Sequence, residues 1–137
     1  MIAKPHSLLL DSDALSALAA GGQRMQAWAT VARRTDSVFY ASTLTLAEVT
    51  DGSPRDANVR RVVKAIRIAE VTQDVGYLAG SLRAHAGAAR RKVRDLTVDA
   101  VVAATALTLP GPTVVITSDP SDLRLLLDGT AIGIEAI

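Results

Sequence analysis

The sequence predicts an α/β fold, a three-layer α/β/α domain whose central, mostly parallel sheet is covered by helices on both faces. Two observations predict it. Short apolar or β-branched runs at 8–10, 38–41, 68–71, 113–116 and 131–137 alternate with stretches of helical periodicity, the pattern of βαβ units. The chain of 137 residues is also the size of a single domain, 1–137, and 49% of it is apolar against 21% charged, enough to bury a core and too much for disorder. No internal repeat, linker or low-complexity tract interrupts it.

The elements follow in order. Leu8-Leu9-Leu10 reads as a buried strand closed by Asp11, after which Ala14, Leu15, Leu18 and Ala19 repeat at helical spacing. Gly21-Gly22 breaks that helix, and Met25, Trp28, Ala29 and Ala32 form a second stripe ending near Arg33-Arg34. Val38-Phe39-Tyr40-Ala41 is the next strand. A helix starting at Thr43 or Thr45 carries Leu46, Glu48 and Val49 to the breakers Asp51-Gly52-Ser53-Pro54. Val59, Val62, Val63 and Ile66 then alternate with Arg60, Arg61, Lys64 and Arg67, an amphipathic helix with a basic outer face. A strand over 68–71 leads to a helix through Val75, Leu78, Leu82 and His85, and Arg90-Arg91-Lys92-Val93-Arg94 makes a basic loop. The helix over 97–107 is apolar on nearly all sides, which predicts burial. Pro110-Gly111-Pro112 turns the chain into the strand 113–116, a short helix covers 123–127, and 131–137 makes a last, edge strand.

Composition removes several function classes. The chain holds 15 Lys+Arg against 14 Asp+Glu, a net charge of +1, so no overall field attracts nucleic acid or membrane and any such contact uses local patches. Aromatic residues are 3% of the chain, too few for base-stacking platforms. Cysteine is absent, which removes disulfides, thiolate zinc sites and cysteine nucleophiles and fits a reducing compartment. The apolar run at 8–10 is too short for a signal peptide or a membrane span. The expectation is a soluble, cytoplasmic protein with no membrane contact.

Acids stand where an apolar fold has little use for them. Asp11 follows Leu8-Leu9-Leu10, Glu48 sits within Leu44-Thr45-Leu46-Ala47-Glu48-Val49, Asp99 opens Asp99-Ala100-Val101-Val102, and Asp119 closes Val115-Ile116-Thr117-Ser118. A buried carboxylate costs several kcal/mol unless it is paired, hydrogen-bonded or metal-bound. Asp11 and Asp119 also suit helix N-caps, and Glu48 suits an exposed position. Asp99 fits neither role, since its helix is otherwise apolar. Asp11 and Asp119 lie at carboxyl ends of strands, where parallel sheets gather functional groups. Together the acids make a candidate site for a hard divalent ion, which prefers oxygen ligands and takes one or two carboxylates with water and phosphate.

These segments, in this order, resemble a PIN domain, specifically the VapC-like toxin ribonucleases of toxin–antitoxin modules. The resemblance runs through Leu8-Leu9-Leu10-Asp11-Ser12-Asp13-Ala14-Leu15, Ser42-Thr43-Leu44-Thr45-Leu46-Ala47-Glu48-Val49, the Asp99-Ala100 helix and the strand end Thr117-Ser118-Asp119. It implies a metal-dependent endoribonuclease with Asp11, Glu48, Asp99 and Asp119 around Mg²⁺ or Mn²⁺. Asp11 and Asp99 would be direct ligands, Glu48 a ligand or water-orienting base, and Asp119 a ligand through water. It further implies cleavage of RNA by water to a 5′-phosphate and a 3′-hydroxyl, a homodimer, and a cognate antitoxin protein that covers the acidic groove.

Neighbouring residues compete for these roles. Asp95 precedes Asp99 by one helical turn and suits a cap or a substitute ligand; Asp122 competes with Asp119 but better suits the start of the last helix; Asp13, with the same ambiguity beside Asp11, ranks as a cap; Thr117 and Ser118 suit strand-end hydrogen bonding ahead of holding a metal-bound water. The basic groups Arg60, Arg61, Lys64 and Arg67, and Arg90, Arg91, Lys92 and Arg94, are the candidate contacts for RNA phosphates. His6 and His85 lie too far apart in sequence to suggest a paired-histidine mechanism, and Trp28 reads as core or interface. Gly21-Gly22 belongs to no nucleotide-binding pattern. The alternative is a catalytically silent PIN-like, or receiver-like, metal-binding interaction module. A receiver would need an acceptor Asp after a middle strand and a late Lys, and here the Phe39-Tyr40 strand runs into Ala41-Ser42 with no Lys after Lys92.

Overall fold

The computed structural model describes residues 5–89 and 95–137. Five strands, β1 (Ser7–Leu10), β2 (Val38–Ser42), β3 (Arg67–Ala69), β4 (Thr113–Thr117) and β5 (Gly133–Ala136), form one sheet in the order β3-β2-β1-β4-β5. Every pairing is parallel, so the sheet is wholly rather than mostly parallel. The helices are α1 (Ser12–Ala19), α2 (Gln23–Thr35), α3 (Thr43–Val49), α4 (Asp56–Val63), α5 (Gln73–Ala89), α6 (Thr97–Thr108) and α7 (Pro120–Leu126). Among the described residues no helix is long and apolar enough to cross a membrane.

Alternation along β1 sorts the core into two layers. Leu9 faces one side in register with Tyr40 and Val115, and packs with Val75, Ala79, Ala100, Ala103 and Leu123 of α5, α6 and α7. Leu8 and Leu10 face the other, with Ala41 and Ile116 beside Leu10, against Ala14, Leu15, Met25, Val59 and Val62 of α1, α2 and α4. All three leucines are fully buried, each contributing about 1.5–3 kcal/mol of hydrophobic stabilisation. A strand buried on both faces needs a continuous apolar run, which is why β1 does not alternate with polar residues.

The strand order also fixes where a ligand can enter. From β1 the chain moves to β2 on one side, and from β4 it moves to β5 on the other, so β1 and β4 are adjacent strands whose connections diverge. At such a switch point the helices leave a crevice open at the carboxyl ends of the strands.

Candidate functional site

Asp11 occupies that crevice. It follows β1 in an extended conformation and is the N-cap of α1: its Oδ1 accepts the amide of Ala14 at 2.9 Å. Its Oδ2 accepts the amide of Ser118, just past β4, at 3.3 Å. One carboxylate thus starts a helix and ties the two strand ends together, and the cap and site readings of Asp11 hold at once. A carboxylate offers about four acceptor positions, so these bonds leave room for a further partner.

Asp13, expected to cap α1, does something else. It stands in the first turn, exposed, and accepts the hydroxyl of Ser118. The sequence offers Asp13 as a cap or a competing ligand and Ser118 as a strand-end bond or a holder of metal-bound water, but not the contact between them. The signal was the ambiguity of two acids flanking Ser12; the sheet order, which brings β4 beside β1, resolves it.

Glu48 comes from α3, which follows β2 directly. Ser42, the last residue of β2, caps it by accepting the amide of Leu44 at 3.1 Å. Leu44 packs in one core layer while Leu46 and Val49 pack in the other, and Glu48 itself is exposed rather than buried. Partial desolvation pushes its carboxyl above the ordinary glutamate range, and the negative charges of Asp99, Asp11 and Asp13 push the same way. Acids from the ends of β1, α3 and α6 therefore share one electrostatic neighbourhood.

Asp99 is half-buried in the first turn of α6, whose residues from Ala100 to Ala106 are all buried. Asp119 is half-buried at the N-cap position of α7. It lies one residue beyond Ser118 at the same sheet edge, its amide donates to Thr117 Oγ1 at 3.0 Å, and its Oδ1 accepts the hydroxyl of Ser121 at 2.9 Å. Its charge is not among those acting on Glu48.

The expectation of acids sunk in apolar surroundings needs correction. The described acids that are buried are Asp56 and Asp122. Asp56 receives the amides of Asp51 and Gly52 at 3.2 and 2.8 Å and so closes the turn before α4, while Asp122 lies in the first turn of α7. Asp95 accepts the amide and the hydroxyl of Thr97 at 2.9 and 2.6 Å; it starts α6. These hydrogen bonds, and the charge of Arg83, hold its carboxyl below the ordinary aspartate range.

The donor set of Asp11, Glu48 and Asp99, with Asp13 beside them, is all carboxylate oxygen. Such a set suits Mg²⁺ or Mn²⁺, and mutual repulsion that raises Glu48 is relieved by a bound dication. Among the described residues no three His, Asp or Glu side chains stand close enough to form a ready-made cage. A hard ion that keeps most of its waters and uses one or two carboxylates fits this arrangement.

The basic groups divide differently. Arg61 donates to the Ala19 carbonyl at 3.2 Å, at the C-terminus of α1, where a cation is favoured; Arg60, Lys64 and Arg67 are exposed. Arg90, Arg91, Lys92 and Arg94 lie outside the described residues. A cleft of about 640 Å³ opens away from the acids, where Asp36, Ser37, Val38 and Phe39 lead into β2 beside α2 and α4.

No family model and no curated protein matches the sequence. The fold does have solved counterparts. A chain of VapBC2 from Rickettsia felis, solved bound to a DNA fragment from its promoter, gives a TM-score of 0.75 at 10% identity, covering 96% of this chain and 98% of that one. A chain of FitAcB from Neisseria gonorrhoeae gives 0.66 at 19% identity, over 92% and 96%. A chain of VapBC-5 from Mycobacterium tuberculosis, a member of the VapBC family of toxin–antitoxin systems, gives 0.59 at 23% identity, over 97% and 100%. The chain therefore has the VapC-like PIN fold that its sequence resembles, a fold found in chains of toxin–antitoxin complexes.

Proposed function

We propose that the chain is the toxin of a toxin–antitoxin module and acts as a divalent-metal-dependent endoribonuclease. The observation that carries this reading is the shared neighbourhood of Asp11, Asp13, Glu48 and Asp99 at the switch point of a parallel sheet. Asp11 and Asp99 would hold Mg²⁺ or Mn²⁺, with Glu48 beside them and Asp119 acting through water from the end of β4. A dication in this position supplies Lewis-acid polarisation of a phosphodiester and makes water easier to deprotonate. Glu48, its carboxyl raised above the ordinary glutamate range, is suited to accept a proton from the attacking water. The water oxygen bonds to phosphorus, the bond to the 3′-oxygen breaks, and that oxygen takes a proton from solvent, leaving a 5′-phosphate and a 3′-hydroxyl. Asp11 is held on both sides by its bonds to Ala14 and Ser118, so its orientation is set before substrate arrives.

The partners in this reading are RNA, a cognate antitoxin protein over the acidic groove and a second copy of the chain, all in the cytoplasm. The test is cleavage of total cellular RNA by the purified protein with Mn²⁺, with EDTA, and with Asp99→Asn in place of the wild type. Cleavage that needs both the metal and Asp99 is expected. Asp99→Asn cutting at the wild-type rate with Mn²⁺ present sinks the assignment. Cleavage in none of the tubes would leave the alternative, a catalytically silent metal-binding interaction module.

A further inference from the structure

Helix α6 carries Asp99 but is otherwise apolar on nearly all sides, with Ala100, Val101, Val102, Ala103, Ala104, Thr105 and Ala106 all buried. An amphipathic helix is turned about its axis by the contrast between its faces. This one has no such contrast, and hydrophobicity alone leaves its rotation weakly specified. The hydroxyls of Thr105 and Thr108 do not help, because they bond the helix's own carbonyls at Val101 and Thr105. A polar anchor exists at the other end. Thr97 Oγ1 accepts from Arg83 Nη1 of α5 at 2.8 Å and donates to Asp95 Oδ1 at 2.6 Å, and the same Oδ1 accepts the Thr97 amide at 2.9 Å. Leu96, at the N-cap position, supplies no side-chain bond, so Asp95 takes the capping role from one residue further back.

Taking Asp99 as a metal ligand, as proposed above, we infer that the Arg83–Thr97–Asp95 chain is a positioning device that sets the rotation of α6 and with it the direction of the Asp99 carboxylate. Asp99 is two residues from Thr97 in the same turn, so a twist at Thr97 reaches it undiminished. A carboxylate about 5 Å from a helix axis moves about 1 Å for every 10° of rotation. Oxygen–Mg²⁺ distances are held near 2.0–2.1 Å, so a movement of that size matters to the ion. Arg83, Thr97 and Asp95 are all exposed, which makes them poor contributors to the core and open to substitution without cavities.

The experiment titrates Mn²⁺ alone against the thermal stability of the purified full chain, taking the concentration of half-maximal stabilisation as the readout. Thr97→Val removes the hydroxyl at nearly constant shape, Thr97→Ser keeps it, and Arg83→Met removes the donor from α5. Loss of a group bonded directly to a metal ligand weakens metal binding about 10–100-fold; Arg83 and Thr97 act through the helix rather than on Asp99 itself, which puts them at the lower end of that range. The midpoint is expected to rise about tenfold in Thr97→Val and Arg83→Met and to stay within about twofold in Thr97→Ser. A plain helix cap would lower the metal-free melting temperature without moving this midpoint. Asp99→Asn runs beside them as the control for the site. Wild-type midpoints in both Thr97→Val and Arg83→Met, with the metal effect lost in Asp99→Asn, overturn the positioning role and leave the site standing. A wild-type midpoint in Asp99→Asn overturns the site itself, and the positioning role with it.

Discussion

Asp11 gives the sharpest separation of folding from chemistry, because its two oxygens do different structural work. Asp11→Ala removes the cap of α1, costing about 1 kcal/mol, and the tie to Ser118, a long hydrogen bond contributing about 0.5–1.5 kcal/mol. The sum is about 1.5–2.5 kcal/mol, less the relief of repulsion on Glu48 that any loss of the Asp11 charge brings. At about 3–5 °C per kcal/mol for a chain of this length, its metal-free melting temperature should fall by about 5–12 °C. Asp11→Asn behaves otherwise. Asparagine caps helices as well as aspartate does, so the bond from the Ala14 amide survives. Its side-chain amide then meets the Ser118 N–H donor to donor and loses that bond, while removal of the charge relieves the repulsion on Glu48. The two effects oppose each other, and the metal-free melting temperature should stay within about 3 °C of wild type. Both variants should lose RNA cleavage and stabilisation by Mn²⁺. Thermal melts followed by circular dichroism, with EDTA and with millimolar Mn²⁺, measure all of this. An Asp11→Asn protein that melts as low as Asp11→Ala refutes the cap argument, and one that keeps the Mn²⁺ effect refutes the site.

Two further predictions concern residues near the same edge. Glu48 has a folded-state pKa above its ordinary value of 4.5; the unfolded chain releases that proton first, so metal-free stability falls as pH rises from about 4.5 through the folded value. Glu48→Gln lacks this term, and its advantage in EDTA should appear over that window and then level off, screened to under about 1 kcal/mol because the residue is exposed; a pH-independent difference would count against the shared neighbourhood. Thr45 is fully buried with no partner for its hydroxyl among the described residues, and an unsatisfied buried hydroxyl costs about 1–3 kcal/mol. Thr45→Val should leave urea unfolding stability unchanged or raise it by about 1 kcal/mol, and a clear loss would mean that the hydroxyl is bonded.

The layers of the fold were legible because each rests on a local pattern. A strand buried on both faces has to be an uninterrupted apolar run, and residues 8–10 are one; a helix buried all round has to lack a polar face, and α6 does. Boundaries moved by a few residues: the third strand is Arg67–Ala69 rather than 68–71, and the last helix starts at Pro120, where proline suits a first helical position. Partners across the sheet were not legible. Whether Asp11 or Asp13 caps α1 is settled by the backbone at Asp11, and what Asp13 then meets is settled by β4 lying beside β1. Nothing in the sequence states that order. Glu48 misled for a related reason, since apolar neighbours in sequence need not cover a residue in space. Leu44 enters one core layer and Leu46 the other, leaving Glu48 on the open side.

The placement of the acids follows from the same division of labour. Stability resides in two apolar layers that meet on the faces of β1, whereas the carboxylates collect beyond its end, where no layer needs them. Repulsion among them is a cost at Glu48 that a bound cation, in the reading proposed above, would offset. Asp11 is different, because it closes the central strand, starts the first helix and holds the end of β4. A group with those duties is oriented by the fold and needs little further ordering to bind an ion. Asp99 stands on a helix with little contrast between its faces, and in the reading proposed above the polar contacts at the helix's start help to set its direction. The precision of the site is thus inherited unequally, from the sheet at Asp11 and from a few exposed hydrogen bonds at Asp99.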